Sequence, residues 1–75
     1  MKLVNLLTVL CFFGIVDQIH GRSALIEFAT SEGKFEYMHI PLAIVPCNVR
    51  EGDKLQFIQD EGSLTVNCGP FVNGQ

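Results

Sequence analysis

Ala24-Leu25-Ile26-Glu27-Phe28-Ala29-Thr30, followed by Ser31-Glu32-Gly33-Lys34 and then Phe35-Glu36-Tyr37-Met38-His39-Ile40, is the stretch that decides the fold. Ala24, Ile26 and Phe28 fall on one face at a two-residue period, and the second run is again alternating and aromatic, as strands are. Between the runs, glycine tolerates positive φ and serine bonds nearby backbone, which makes a turn. Two such runs around a short glycine-bearing link predict a hairpin. Pro41 ends the second strand, because proline has no amide hydrogen to give a ladder.

Toward the C-terminus, Leu42-Ala43-Ile44-Val45 lies between Pro41 and Pro46. It is too short for a stable helix and is expected to be a connector or a single helical turn plugging one end of the core. Glu51-Gly52-Asp53 is a second turn leading into Lys54-Leu55-Gln56-Phe57-Ile58-Gln59, where Leu55 and Phe57 share a face. Asp60-Glu61-Gly62-Ser63 is a third turn before Leu64-Thr65-Val66-Asn67-Cys68, and Gly69–Gln75 is a loose tail. Short strands about ten residues apart predict an all-β fold: a small five-stranded barrel-like meander of SH3 or OB size, whose closure removes exposed edges.

Toward the N-terminus, Lys2 is followed by an uncharged, mainly apolar run, Leu3 to Val16, which Asp17 stops. A short positive end before about 7–15 apolar residues is the layout of a secretory signal peptide, whereas a membrane span needs roughly 20. Residues 1–14 are therefore expected to be a signal peptide or membrane leader, 15–68 the barrel and 69–75 a flexible tail. An uncleaved anchor and a buried element of the folded body are the alternatives. Cleavage after Gly14 or after Gly21 places a glycine at the cut, each with a bulky residue two places earlier.

If the run is removed, Cys11 goes with it and leaves Cys47 and Cys68, an even pair in a short chain that needs reinforcement. A bridge between them closes a loop of about 22 residues, worth on the order of 3 kcal/mol in the chain-entropy model. Two unrelated thiols are the alternative. With His20 and His39 not at finger-like spacing, the cysteines do not make a zinc ligand set.

The residues Ile15-Val16-Asp17-Gln18-Ile19-His20-Gly21, Ala24-Leu25-Ile26-Glu27, Ile40-Pro41-Leu42, Pro46 and Val49-Arg50-Glu51-Gly52-Asp53-Lys54-Leu55 carry a resemblance. Together they resemble the small prokaryotic family catalogued as domain of unknown function 3006. That family reads Val-Asp-Arg-Ile-Glu-Gly near its start, Ile-Pro in the middle and Lys-Glu-Gly-Asp before a late strand. The match runs from Ile15 to Phe57, and its motifs are mainly turn and core positions. It implies a small β-barrel with a first strand at Ile15–Ile19, and brings no activity or functional residues. A cut after Gly21 would remove that strand, so a start near Ile15 or an uncleaved tether is expected. The hydrophobic leader and the cysteine pair depart from the family pattern.

Composition bounds the function. At 75 residues the chain has room for one small domain and not for the layered core and deep cleft of most enzymes. Phe28, Phe35, Tyr37, Phe57 and Phe71 offer rings for base stacking. However, the net charge is −3, and without the leader four basic residues face seven or eight acidic ones, which repels phosphate. His39 has no nucleophile elbow or triad spacing with it. Glu27 and Glu36 are positioned to face each other across the hairpin, where solvated carboxylates are commoner than an acid/base pair. Glu51, Asp53, Asp60 and Glu61 lack the alternating oxygens and terminal glutamate of a calcium loop.

No catalytic residue, metal or cofactor is therefore expected. The expected role is a small exported binding protein, periplasmic or secreted, acting on another envelope or extracellular protein as an inhibitor, blocking or exclusion factor. Phe71 and Val72 in the tail are the expected contact. The rival is a membrane-anchored structural accessory subunit whose only membrane contact is the uncleaved leader.

Overall fold

Strands make up more than half of the computed structural model, which describes residues 9–71. The strands are β1 (Val9–His20), β2 (Ser23–Ala29), β3 (Phe35–Pro41), β4 (Lys54–Asp60) and β5 (Ser63–Cys68). All neighbours are antiparallel in one sheet of order β3-β2-β1-β4-β5. One 3-10 turn, Leu42–Ile44, follows β3. The all-β expectation holds, and four of the five strands lie within a residue or two of where the pattern puts them.

The sheet departs from a closed meander in two ways. The fourth strand pairs with the first, and among the described residues β3 and β5 remain unpaired edges. In place of a sixth ladder, the segment after β3 drops Val45 into the core, where it is buried, and Cys47 is bonded to Cys68 at the end of β5. A peptide link and a sulfur link thus bridge the two edges that hydrogen bonds do not join.

β1 also starts at Val9, upstream of the Ile15 start expected for the folded body. Val9–Gly14 lie opposite Asp60–Leu55 in a continuous register, and Ile15 opposite Lys54 completes seven pairs. Valine, leucine and phenylalanine serve a leader and a central strand equally well, so hydropathy alone does not separate the two.

One face of the sheet is the core. Val16, Ala24, Ile26, Ile40, Val45, Leu55, Phe57 and Val66 are buried together, with Phe12, Ile19, Met38, Leu42, Val49, Leu64 and Cys68 packed around them. Phe12 stacks on Phe57 and tilts against Phe28, both at 5.3 Å between ring centroids. Such pairs add about 0.5–1.5 kcal/mol beyond their area. A register shift between Val16 and Gln18 makes Asp17 the extra residue of a β-bulge. The bulge changes parity, so Val16 before it and Ile19 after it both face inward. The turn ahead of β4 docks there: Val16 N–H donates to Asp53 O at 2.9 Å and Gly52 N–H donates to Val16 O at 2.8 Å.

Gly14 is buried on the inner face between β2 and β4. A Cβ there would lie 2.5 Å from Ile26 Cγ2 and 3.2 Å from Phe57 Cε2. Both side chains are fully buried, so neither can swing away. At the β4–β5 turn, Glu61 (φ 49°) and Gly62 (φ 84°) form a two-residue hairpin loop with both residues left-handed. Glutamate is a poor fit to that conformation, and asparagine a good one.

Two substitutions therefore act in opposite directions. Gly14→Ala is expected to cost about 1–3 kcal/mol through overpacking and to lower the melting temperature in a calorimetric scan. Glu61→Asn is expected to add roughly 0.5–1 kcal/mol and to raise it.

Candidate functional site

The disulfide end of the sheet gathers three of the four residues expected to matter. Cys47 and Cys68 are joined, with Cα atoms 6.4 Å apart. Phe71, just past β5, turns back so that its ring meets Phe13 edge-on at 5.3 Å. Lys54 sets its ammonium 4.9 Å from the centroid of the Phe13 ring. Cys47, Cys68 and Phe71 share an open concavity of about 410 Å³ with Asn48, Asp53 and Lys54. Its floor is held by the Arg50–Asp53 turn, in which Arg50 N–H donates to Asp53 Oδ2 at 2.9 Å and Asp53 N–H donates to Arg50 O at 3.0 Å. Phe71 is thus half-buried against the sheet, and Val72 lies outside the described residues.

The outer face of the sheet carries the more unusual surface. Strand parity puts Val9, Cys11, Phe13 and Ile15 of β1 on it, with Leu25 and Glu27 of β2 and Phe35, Tyr37 and His39 of β3. Phe35 is 67% exposed, Tyr37 55% and Ile15 40%, large apolar fractions for residues fixed in a paired sheet. Cys11 is an exposed free thiol whose sulfur accepts from Gln56 Nε2 at 3.4 Å, and Gln56 in turn accepts from Asn67 Nδ2 at 3.0 Å. Neither Cys11 nor Phe13 stood out in the sequence, where the apolar run hid their alternation with Leu10, Phe12 and Gly14.

The remaining candidates are not brought together. Glu27 faces Tyr37 and Glu36 faces Phe28, so the two carboxylates lie on opposite faces of the hairpin and not across from each other. His39 sits opposite Leu25, and His20, which hydrogen-bonds Gln18 at 2.6 Å, lies at the same end of the sheet but on β1, with β2 between them. Glu51 and Asp53 precede β4 whereas Asp60 and Glu61 follow its course, which separates them by the length of a strand. Phe57 is buried in the core, so it is not part of an exposed ring platform. Among the described residues, no three of His, Cys, Asp and Glu converge in position to hold a metal ion.

The Glu27 carboxylate, directly across from Tyr37, holds its phenol above the ordinary value of 10.0, with partial burial and Asp17 adding to the effect.

No family model matches the chain, and neither a curated protein nor a solved structure matches it.

Because the fold binds the Tyr37 proton more tightly than the unfolded chain does, this group's contribution to stability is complete below about pH 10. It is lost as the pH rises through the raised value. Phenolate absorbance, Tyr37 being the chain's one tyrosine, is expected to titrate above free tyrosine, and Glu27→Gln to bring the midpoint back down. An unchanged midpoint in that variant would rule Glu27 out as the cause.

Proposed function

We propose that the chain is a small exported protein that acts without catalysis by binding another protein of the envelope or extracellular space, as an inhibitor, blocking or exclusion factor. The observation that carries this is the outer face, where Ile15, Phe35 and Tyr37 stay exposed on a rigid paired sheet. Ile15 and Tyr37 flank Glu27 in one cross-strand row, so this face offers a partner apolar and acidic groups side by side. The concavity at the disulfide end is shallow and continuous with that face through Phe71 and Phe13. It suits a protruding side chain of a partner better than an enclosed substrate.

Export is supported by the Cys47–Cys68 bond, since disulfides persist in oxidising compartments. The register adds a requirement. A cut after Gly14 removes six of the seven β1 residues paired with β4, and a cut after Gly21 removes all of β1. Any processing compatible with this sheet leaves Val9 onward in place. The second reading, a tethered accessory subunit that keeps its leader, has to reckon with the same placement, because Val9–Gly14 are taken up by β4. Among the described residues, no helix is long and apolar enough to cross a membrane. Kinship with the family named above is part of the proposal, supported by the Glu51-Gly52-Asp53 turn standing just before β4 and Ile40-Pro41 closing β3.

A photo-crosslinking amino acid placed at Ile15, compared with one at Glu51 in a turn, tests the binding role in cells that naturally make the protein. A discrete adduct with one exported protein is expected from the first position and not the second. Identical adducts from both, or none from Ile15, would count against it.

A further inference from the structure

We propose that the edge of β3, unpaired among the described residues, with the acidic and aromatic surface beside it, takes up an extended basic segment of the partner protein as a sixth strand. This rests on the binding role proposed above and names where it occurs and what chemistry it selects.

The ladder geometry fixes which main-chain groups are free. Thr30 N–H donates to Lys34 O at 2.7 Å at one end of the β2–β3 hairpin, and Leu42 N–H donates to Arg22 O at 2.8 Å at the other. The pairs between them run in unbroken register from Ala29↔Phe35 to Ser23↔Pro41. Hydrogen-bonded and non-bonded pairs alternate in an antiparallel ladder. The even-numbered residues of β3 therefore turn their N–H and C=O groups toward β2, and Phe35, Tyr37 and His39 turn theirs outward. Pro41, next in the outward series, has no N–H, so the edge ends there. Between these limits Phe35–Ile40 contains no lysine, no proline and no bulge, and Glu36, on the inner-face parity, is its one charge against self-pairing. The other edge is different, because Cys68 at the end of β5 is tied to Cys47.

Charge selects the occupant. A strand added to β3 projects alternate side chains onto the outer face, where a residue opposite Tyr37 comes within about 5 Å of it. There it meets the exposed ring of Tyr37 and, one strand further in, the Glu27 carboxylate across from that ring. Lysine or arginine at that position gains a ring face and has the Glu27 carboxylate within side-chain reach. The nearest lysine of β4, Lys54, is turned toward Phe13 and not toward this patch. A second copy of the chain is the poorer occupant: pairing β3 with itself about Tyr37 sets ring on ring and brings together two acidic patches on chains that each carry −3.

The test uses the full chain at low salt and a capped peptide, Thr-Lys-Val-Arg-Val-Lys-Thr. Two control peptides go with it, one with glutamate replacing each basic residue and one N-methylated on alternate main-chain nitrogens. Saturable binding is expected, with amide shifts centred on Phe35, Tyr37 and His39. At least tenfold weaker binding is expected for the acidic and methylated peptides. Glu27→Lys is expected to weaken the basic peptide at least tenfold at unchanged melting temperature, whereas Glu51→Lys, the same charge change in a remote turn, leaves it unaltered. Equal binding of the acidic or methylated peptide, shifts centred on β5, or a dimer that protects the β3 amides without peptide would each overturn the proposal. Should no peptide bind while the Ile15 adduct still forms, the edge assignment fails and the binding role stands; loss of both removes the role as well.

Discussion

β1 holds the molecule together because it alone has a partner from each half of the chain. On one side it pairs with β2, the start of the β2–β3 hairpin; on the other it pairs with β4, the start of the β4–β5 hairpin. Two isolated hairpins are marginal in water. Spliced through β1, they put Ile26 and Ile40 from one half against Leu55, Phe57 and Val66 from the other in a single buried cluster. Phe12, between Phe28 and Phe57, is the aromatic expression of that splice. Gly14, which has no side chain where the two halves come closest, is its steric condition.

The covalent link completes what the ladder does not. A five-stranded sheet of this size curls but does not close, and its gap falls between the strand after which Val45 enters the core and the strand that ends at Cys68. Joining residues 21 apart restricts the unfolded chain by about 3 kcal/mol in the entropy model, comparable to the few kcal/mol a core this small supplies. The same bond pins the loop that lines the concavity. Stability and the shape of that end of the surface therefore share one chemical dependence.

Much of this was legible in the residues. The β2–β3 hairpin, β4, β5 and the short turn after Pro41 showed themselves because polar and apolar positions alternate there and glycine marks the bends. The first half of β1 did not, because both of its faces are apolar: Phe12 goes inward, while Phe13 receives Phe71 and Lys54 on the outside. With no alternation to read, the run looked like a leader. The lack of closure was illegible for another reason: it depends on where the segment 42–49 settles, a tertiary matter that local pattern does not encode. The candidate surface was half visible. The rings of Phe35 and Tyr37 were noticed, but pairing Glu27 with Tyr37 and not Glu36 required the register.

The register also sets an order of events during synthesis. Val9 lies opposite Asp60, so the first strand to leave the ribosome waits for almost the last segment before both of its sides are covered. Until then only the β2 side has a mate, and the stretch ahead of Gly14 remains an oily, unclaimed ribbon. Elongation speed decides how long those six residues stay without their second mate.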